Sequence, residues 1–272
     1  MFSLKQATFK YWIKIYCYNN AFIRLIKHNI KCELLSNMML LVCSPYILFN
    51  YWFTLLYEKL LGIKKVGKLM NADKEKHFKY EFAIVVISKN EGPYVREWIE
   101  FHRITGADKF YFYDNDSDDD TEKILNPYIK EGIVEYTKIL GKGRQIKAYN
   151  DAIKRHKNEC RWMAFIDMDE FLMPTDYGKR LNKVVEDIVY SAGGGAAGVG
   201  VNWAIYGTSG FKKKQTGLII ENYRYRAENE YYLNFHIKCV CNPRLVVNYI
   251  SPHYPLYIRG GYSVKEAYGS RE

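Results

Sequence analysis

The residues best suited to chemistry are an acidic pair, Asp167 and Asp169, that directly follows the apolar run 162–166 in the order W-M-A-F-I-D-M-D-E. Carboxylates at i and i+2 where a buried strand stops can point into one crevice, and like charges held there away from water are costly unless a cation neutralises them. Mg and Mn prefer hard oxygen ligands and bridge readily to a diphosphate, so they suit such a pair. D-x-D alone is also a common solvated loop; its position after a buried strand is what gives it weight. A second acidic cluster spans 114–120 and holds Asp114, Asp116, Asp118, Asp119 and Asp120. Its spacing is not that of a calcium loop, because the central Gly and the closing Glu are missing. Asp114 and Asn115, which open this cluster, can accept from a base N–H or a ribose hydroxyl, and the later aspartates can cap a following helix.

The elements around these residues alternate regularly. Residues 83–88 (AIVVIS) are a β-branched run suited to a buried central strand, and further strands are expected at 109–113, 133–137 and 161–166. Between them, Tyr94, Val95, Trp98, Ile99 and Ile104 recur at helical spacing, 121–128 reads as a helix ending near Pro127, and 145–156 reads as another. A helix at 178–190 is followed by expected strands at 196–206, 218–225 and 236–241. Such strand–helix–strand units imply an α/β domain with a mostly parallel sheet flanked by helices, whose ligands bind outside the carboxyl ends of the strands. The polar clusters at 89–91, 114–120 and 167–170 all fall at those ends. Residues 193–198 (GGGAAG) formally match G-x-G-x-x-G, but they follow a helix and lead into a strand, the reverse of a dinucleotide fingerprint, so they are read as a turn.

Charge divides the chain unevenly. Residues 1–80 hold 13 Lys and Arg against 4 acids, and residues 81–272 hold 27 against 26, within a formal net charge of +10. A nucleic-acid reader would carry its positive field on a folded recognition surface. Here the field lies beside residues 38–57, an uncharged apolar run, and fits an anionic membrane surface better. Three arrangements remain open for this segment: helices packed on a soluble domain, a helical anchor lying in the membrane interface, or a span. Residues 69–80 are polar and read as a linker, so the expected organisation is 1–80 as a basic hydrophobic segment with linker and 81–272 as the catalytic domain. The six cysteines, Cys17, Cys32, Cys43, Cys160, Cys239 and Cys241, are scattered and read as reduced and mostly buried.

The ordered motifs I-S-K-N-E, E-W-I-E-F-H, F-Y-F-Y-D-N-D-S-D-D and F-I-D-M-D-E-F, followed by W-A-I-Y-G-T-S-G, H-I-K and P-H-Y, resemble the family-2-like inverting glycosyltransferases of the GT-A fold, and most closely glycosyltransferase family 92, over residues 81–255. The resemblance implies a GT-A-like sheet, a UDP-sugar donor, Mn or Mg, and transfer to a glycan hydroxyl with inversion. It puts the metal motif on Asp167 and Asp169, with a late histidine, His253, completing it. It puts the first-strand nucleotide site on Lys89, Asn90 and Glu91 and the second on Asp114 and Asn115.

Within that mechanism Asp169 is the expected direct metal ligand, and Asp167 contacts the ribose or metal-bound water. Arg144 and Lys147, at the start of the helix 145–156, suit a diphosphate, although they serve equally as a wet helix face. A general base is needed for the acceptor proton. Glu221, Glu228 and Glu230 are the candidates, and Glu221 is preferred because it closes a strand-like run, GLII. Trp203 and Tyr206 can stack on an acceptor sugar or fill the core. The expected setting is the cytoplasmic face of a membrane, most simply a bacterial inner membrane, in surface polysaccharide or lipopolysaccharide synthesis. A nucleotidyltransferase, or a non-catalytic glycan-binding domain on the same fold, is the alternative.

Overall fold

A computed structural model describes residues 61–265 apart from Thr175 and Tyr177, together with isolated helical positions between 35 and 56. Cys17, Cys32 and Cys43 and most of the basic segment lie outside the described residues. The chain divides into two compact units, Met1–Leu61 and Gly62–Glu272. In the first, Leu35, Met38, Val42, Tyr46, Phe49, Trp52, Phe53 and Leu56 are helical and exposed. Among the described residues no helix is long and apolar enough to cross a membrane.

The second unit opens with helix α1 (Ile63–Lys74), then β1 (Tyr80–Ser88), α2 (Gly92–Thr105), β2 (Lys109–Asp114), α3 (Thr121–Lys130), β3 (Val134–Lys138), α4 (Gln145–His156) and β4 (Cys160–Phe165). It continues through α5 (Leu181–Ala192), β5 (Ala196–Asn202), a four-residue helix α6 (Ile219–Asn222), β6 (Ile237–Cys241), β7 (Val246–Tyr249), β8 (Pro255–Tyr257) and β9 (Tyr262–Lys265). Seven strands form one sheet in the order β3-β2-β1-β4-β6-β5-β9, and β7 pairs with β8 separately. β3, β2, β1 and β4 run parallel; β6 is antiparallel to both its neighbours; β5 and β9 are parallel. This is the mixed, mostly parallel sheet expected, and its order is consistent with a GT-A-like fold.

The central strands are apolar on both faces because both faces are covered. Phe82, Ile84, Val86, Phe110, Phe112, Trp162 and Ala164 pack with Trp98 and Ile99 of α2, Leu125 of α3 and Val185 and Val189 of α5. The alternate residues Ala83, Val85, Tyr111, Tyr113, Met163 and Phe165 pack with Ala148, Tyr149, Ala152 and Ile153 of α4 on the other side. Cys160, Cys239 and Cys241 are free and buried.

Several expectations are corrected. Residues 69–74, read as linker, continue α1, whose Val66 and Met70 enter the core. Asp73 of that helix is 2.9 Å from Arg244 Nε and accepts from Asn242 Nδ2 at 2.8 Å. Pro127 does not end α3, which runs on to Lys130; a proline late in a short helix loses only one backbone bond. Residues 218–225 form no strand. Glu97 of α2 accepts from the Ile219 and Ile220 amides at 2.8 and 3.0 Å, so the first-turn donors of α6 are satisfied by a side chain rather than by a ladder.

Candidate active site

Neighbours β2 and β3 lie on one side of β1 and β4 lies on the other, so the strand order reverses between β1 and β4, and a crevice opens beyond their carboxyl ends. Two loops meet there. The first follows β1 and carries Lys89, Asn90 and Glu91. Asn90 has φ 57°, a left-handed conformation that Asn tolerates, and its side chain is spent on the loop: Oδ1 accepts the Asp118 amide at 2.9 Å, while the Asn90 backbone amide donates to Ser117 Oγ. Lys89 is exposed, and Glu91 is half-buried and accepts from Ser88 Oγ at 2.8 Å.

The second loop follows β4 and carries Asp167, Asp169 and Glu170. It is bolted to α2 by two bonds. Trp98 Nε1 donates to the Glu170 carbonyl at 2.8 Å, and His102 Nε2 accepts the Leu172 amide at 3.0 Å while Nδ1 donates to the Trp98 carbonyl. Burial pushes His102 down to about 4, so the neutral tautomer these bonds require persists through the neutral range.

The crevice is crowded with negative charge. Burial raises the Glu91 carboxyl, and the nearby charges of Asp169 and Asp167 add to the rise. Burial, opposed by Lys238 and reinforced by Asp167 and Asp169, pushes Glu170 up to about 7. Asp169 is exposed at the mouth. Asp167 is engaged at both oxygens: Lys238 Nζ lies 2.7 Å from Oδ2, and Gln145 Nε2 donates to Oδ1 at 2.6 Å with Tyr149 OH at 3.3 Å.

Asp114 is buried, accepting from Tyr136 OH at 2.6 Å and the Ser117 amide at 3.1 Å. Asn115 Nδ2 donates to the carbonyls of Ile139 and Gly141, both at 2.8 Å, and so shapes the turn before α4. Of the later aspartates, Asp119 accepts from the Gly92 and Thr121 amides and ties the starts of α2 and α3 together. Arg144 Nε donates to the Leu140 carbonyl at 2.6 Å, and Lys147 is exposed in the first turn of α4.

The far half of the chain reaches the crevice through β6, whose first residues lie beside the end of β4. His253 Nδ1 donates to the Ile237 carbonyl at 3.1 Å, which leaves the lone pair on Nε2, the tautomer a metal ligand needs. Trp203 stacks on His236 (centroids 5.1 Å apart) and meets His253 edge-on at 5.6 Å. Tyr206 bridges to Arg226 and is half-exposed. Glu221 is exposed on α6, and Glu228 and Glu230 are exposed beyond it. Among the described residues no group of three or more His, Cys, Asp or Glu side chains is arranged to hold a metal. Mg and Mn need few protein ligands when substrate phosphates supply the rest; of the acidic pair Asp169 is exposed, whereas both oxygens of Asp167 already have partners.

Spacing put Trp98 on the apolar face of a helix but gave no part in the site to Trp98, His102, Gln145, Tyr149 or Lys238. The signal for Lys238 was there: a lysine at an inward position of the apolar run I-K-C-V-C calls for a buried carboxylate partner.

The family model that matches this chain is that of glycosyltransferase family 92, over residues 89–270. A glycosyltransferase family 92 protein of Ricinus communis is 29% identical over 136 residues, 49% of this chain and 24% of that protein. One of Oryza sativa subsp. japonica is 30% identical over 95 residues, 34% of this chain and 16% of its own length. The chain thus spans about a quarter or less of the curated relatives it matches. Among solved structures, that of S. aureus TarS 1-349 in complex with UDP aligns with a TM-score of 0.37 and 18% identity over 61% of this chain and 47% of that one, a likeness too remote to inform the chemistry.

Proposed function

The chain belongs to glycosyltransferase family 92, and from that premise we propose that it moves a sugar from a UDP-sugar donor to a glycan hydroxyl with inversion, using Mn or Mg held by Asp169 and His253. Two observations support this reading: the β4 loop ends in an exposed carboxylate, Asp169, and the His253 imidazole is held by Nδ1 on the first residue of β6, so that its free nitrogen is Nε2. When bound, a divalent ion supplies the positive charge that a departing diphosphate needs. Arg144 and Lys147, around the start of α4, add cationic charge and a helix N-terminus on the same side. Lys89, Glu91, Asn115 and Asp167 border the nucleotide, with Asn90 and Asp114 holding the loops that present it. Trp203 and Tyr206 offer faces to the acceptor sugar.

Glu221 is the proposed base for the acceptor hydroxyl. The support is no longer a strand but the tether of α6 to Glu97, which gives Glu221 a fixed element among three exposed glutamates. The test is a screen of UDP-sugars for Mn-dependent hydrolysis and transfer, with the product anomer read by proton NMR. Preference for UTP would favour a nucleotidyltransferase, and glycan binding without UDP binding would favour a lectin-like domain.

We also propose that the first unit rests on an anionic membrane surface on its cytoplasmic side. The support is the basic excess of residues 1–61, which hold 7 Lys and Arg against 2 acids, and the exposed apolar helical positions from Leu35 to Leu56. Full-length protein should sediment with anionic liposomes, and protein beginning at Gly62, which keeps α1, should not. Equal behaviour of the two would end this reading.

A further inference from the structure

Lys238 is the one residue of β6 whose charge enters the crevice. Strand alternation puts it on the face shared with Val240, in an otherwise apolar layer, and its side chain is only 5% exposed. Its Nζ lies 2.7 Å from Asp167 Oδ2 and 3.7 Å from Glu170 Oε2. The same Glu170 oxygen accepts the Asp167 amide at 3.0 Å, so the ammonium, the two carboxylates and the loop backbone form a closed unit. Asp167 Oδ1 is occupied from the other side by Gln145 and Tyr149 of α4.

We propose that Lys238 is a positioning residue that divides the acidic pair: it holds Asp167 as an internal counter-ion, so that Asp169 alone of the two is left to face a divalent cation. The proposal rests on the reading that Asp169 helps hold such an ion. A buried lysine is stable here only while its carboxylate partner stays in place, and breaking one member of a buried pair leaves an uncompensated charge. The pair as a whole is neutral. Lys238 therefore suppresses the cation affinity that four crowded carboxylates would otherwise have and aims what remains at Asp169.

The same geometry assigns different outcomes to different substitutions. Removing the ammonium uncovers Asp167 and adds a negative charge to the cation site. Removing the Asp167 charge leaves a bare ammonium that repels a cation. Removing both restores the original balance. A purely structural role for Lys238 would lower stability in each case and would not raise metal affinity in any of them.

The test titrates Mn into the full chain with UDP present and follows loss of the free-ion signal by electron paramagnetic resonance. The set is wild type, Asp169→Asn, Asp167→Asn, Lys238→Met, Lys238→Arg and the Asp167→Asn/Lys238→Met double variant. Mn binding should fall about a hundredfold or more in Asp169→Asn, since even outer partners of metal ligands cost up to that much. It should fall no more than about tenfold in Asp167→Asn and tighten about tenfold in Lys238→Met, the through-space effect of one charge. The double variant and Lys238→Arg should lie within about threefold of wild type, because each keeps the net charge of the pair. Loss in Asp167→Asn as large as in Asp169→Asn, or a double variant as weak as Asp169→Asn, overturns the proposal while leaving the metal reading intact. If Lys238→Met does not fold, Asp167→Asn and Lys238→Arg decide by themselves. Wild type that binds no Mn with UDP present overturns the underlying reading, and this one with it.

Discussion

The β1-to-β4 half of the domain and the excursion between β5 and β6 meet at one crevice but are built differently. In the first, the loop after β4 is held from two neighbouring helices: the backbone of Glu170 and Leu172 by Trp98 and His102 of α2, and the Asp167 side chain by Gln145 and Tyr149 of α4. In the second, residues 203–236 run without a strand, and Tyr206, Phe211, Tyr225, Tyr231, Tyr232 and Phe235 are exposed. Its ties to α2 are the Glu97 bonds to α6 and Lys214 Nζ lying 4.3 Å above the Tyr94 ring. A rigid half suits a ligand common to many reactions, and an open aromatic half suits a ligand that differs between them.

The sharpest way to break this contrast is Asp169→Asn. UDP titrated with and without Mn by calorimetry should show the metal dependence nearly abolished, and unchanged dependence would remove the rigid half from the chemistry as drawn. Next in size, Glu221→Gln should cut turnover by about two to four orders of magnitude while UDP affinity stays intact, the signature of lost proton transfer. Near-normal turnover would move the base to Glu228 or Glu230 and show that the open half is not anchored where α6 suggests.

His102 sharpens the comparison from the rigid side. Its folded value is depressed to about 4, so between that and its ordinary value near 6.5 the unfolded chain binds the proton and the folded chain does not. Stability from this group is therefore present above about pH 6.5 and is lost as pH falls toward 4, by about 3 kcal/mol in all. Burial raises Glu170 in the opposite sense over part of that window, so the measurement is the difference between wild type and His102→Gln in denaturant midpoints at each pH. A difference that does not change with pH would mean that His102 is not held neutral. The smallest effect is expected of Glu97→Ala, which costs α6 its cap, about 1 kcal/mol. Amide exchange should quicken at 219–222 and stay unchanged on the β4 loop; quickening at both would erase the distinction between the halves.

The same division marks what could be read in advance. AIVVI, FYFY and WMAFI are apolar without interruption because helices cover both their faces, so their strands and the loops at their ends were legible. GLII-E-N-Y-R was not. Its apolar residues suggest a strand, but the tertiary bond from Glu97, 122 positions away from Ile219, decides for a helical turn. In the site, the carboxylates were legible by type and spacing. Their partners were not, because Gln145 and Lys238 lie 22 and 71 positions from Asp167 and join it only once the sheet order is known.

The late arrival of β6 has a consequence for synthesis. The ribosome releases residues 80–172 before it makes Lys238, so a nascent chain can pair β1, β2, β3 and β4 while its four crevice carboxylates still lack their ammonium. In that interval Asp167 has no buried counter-ion, although the β4 loop can already dock on α2 through Trp98 and His102. Only when β6 inserts between β4 and β5 does Asp167 gain its counter-ion, and His253 follows fifteen residues behind Lys238. The proposed cation site is therefore completed only after the four strands that carry its carboxylates have been made.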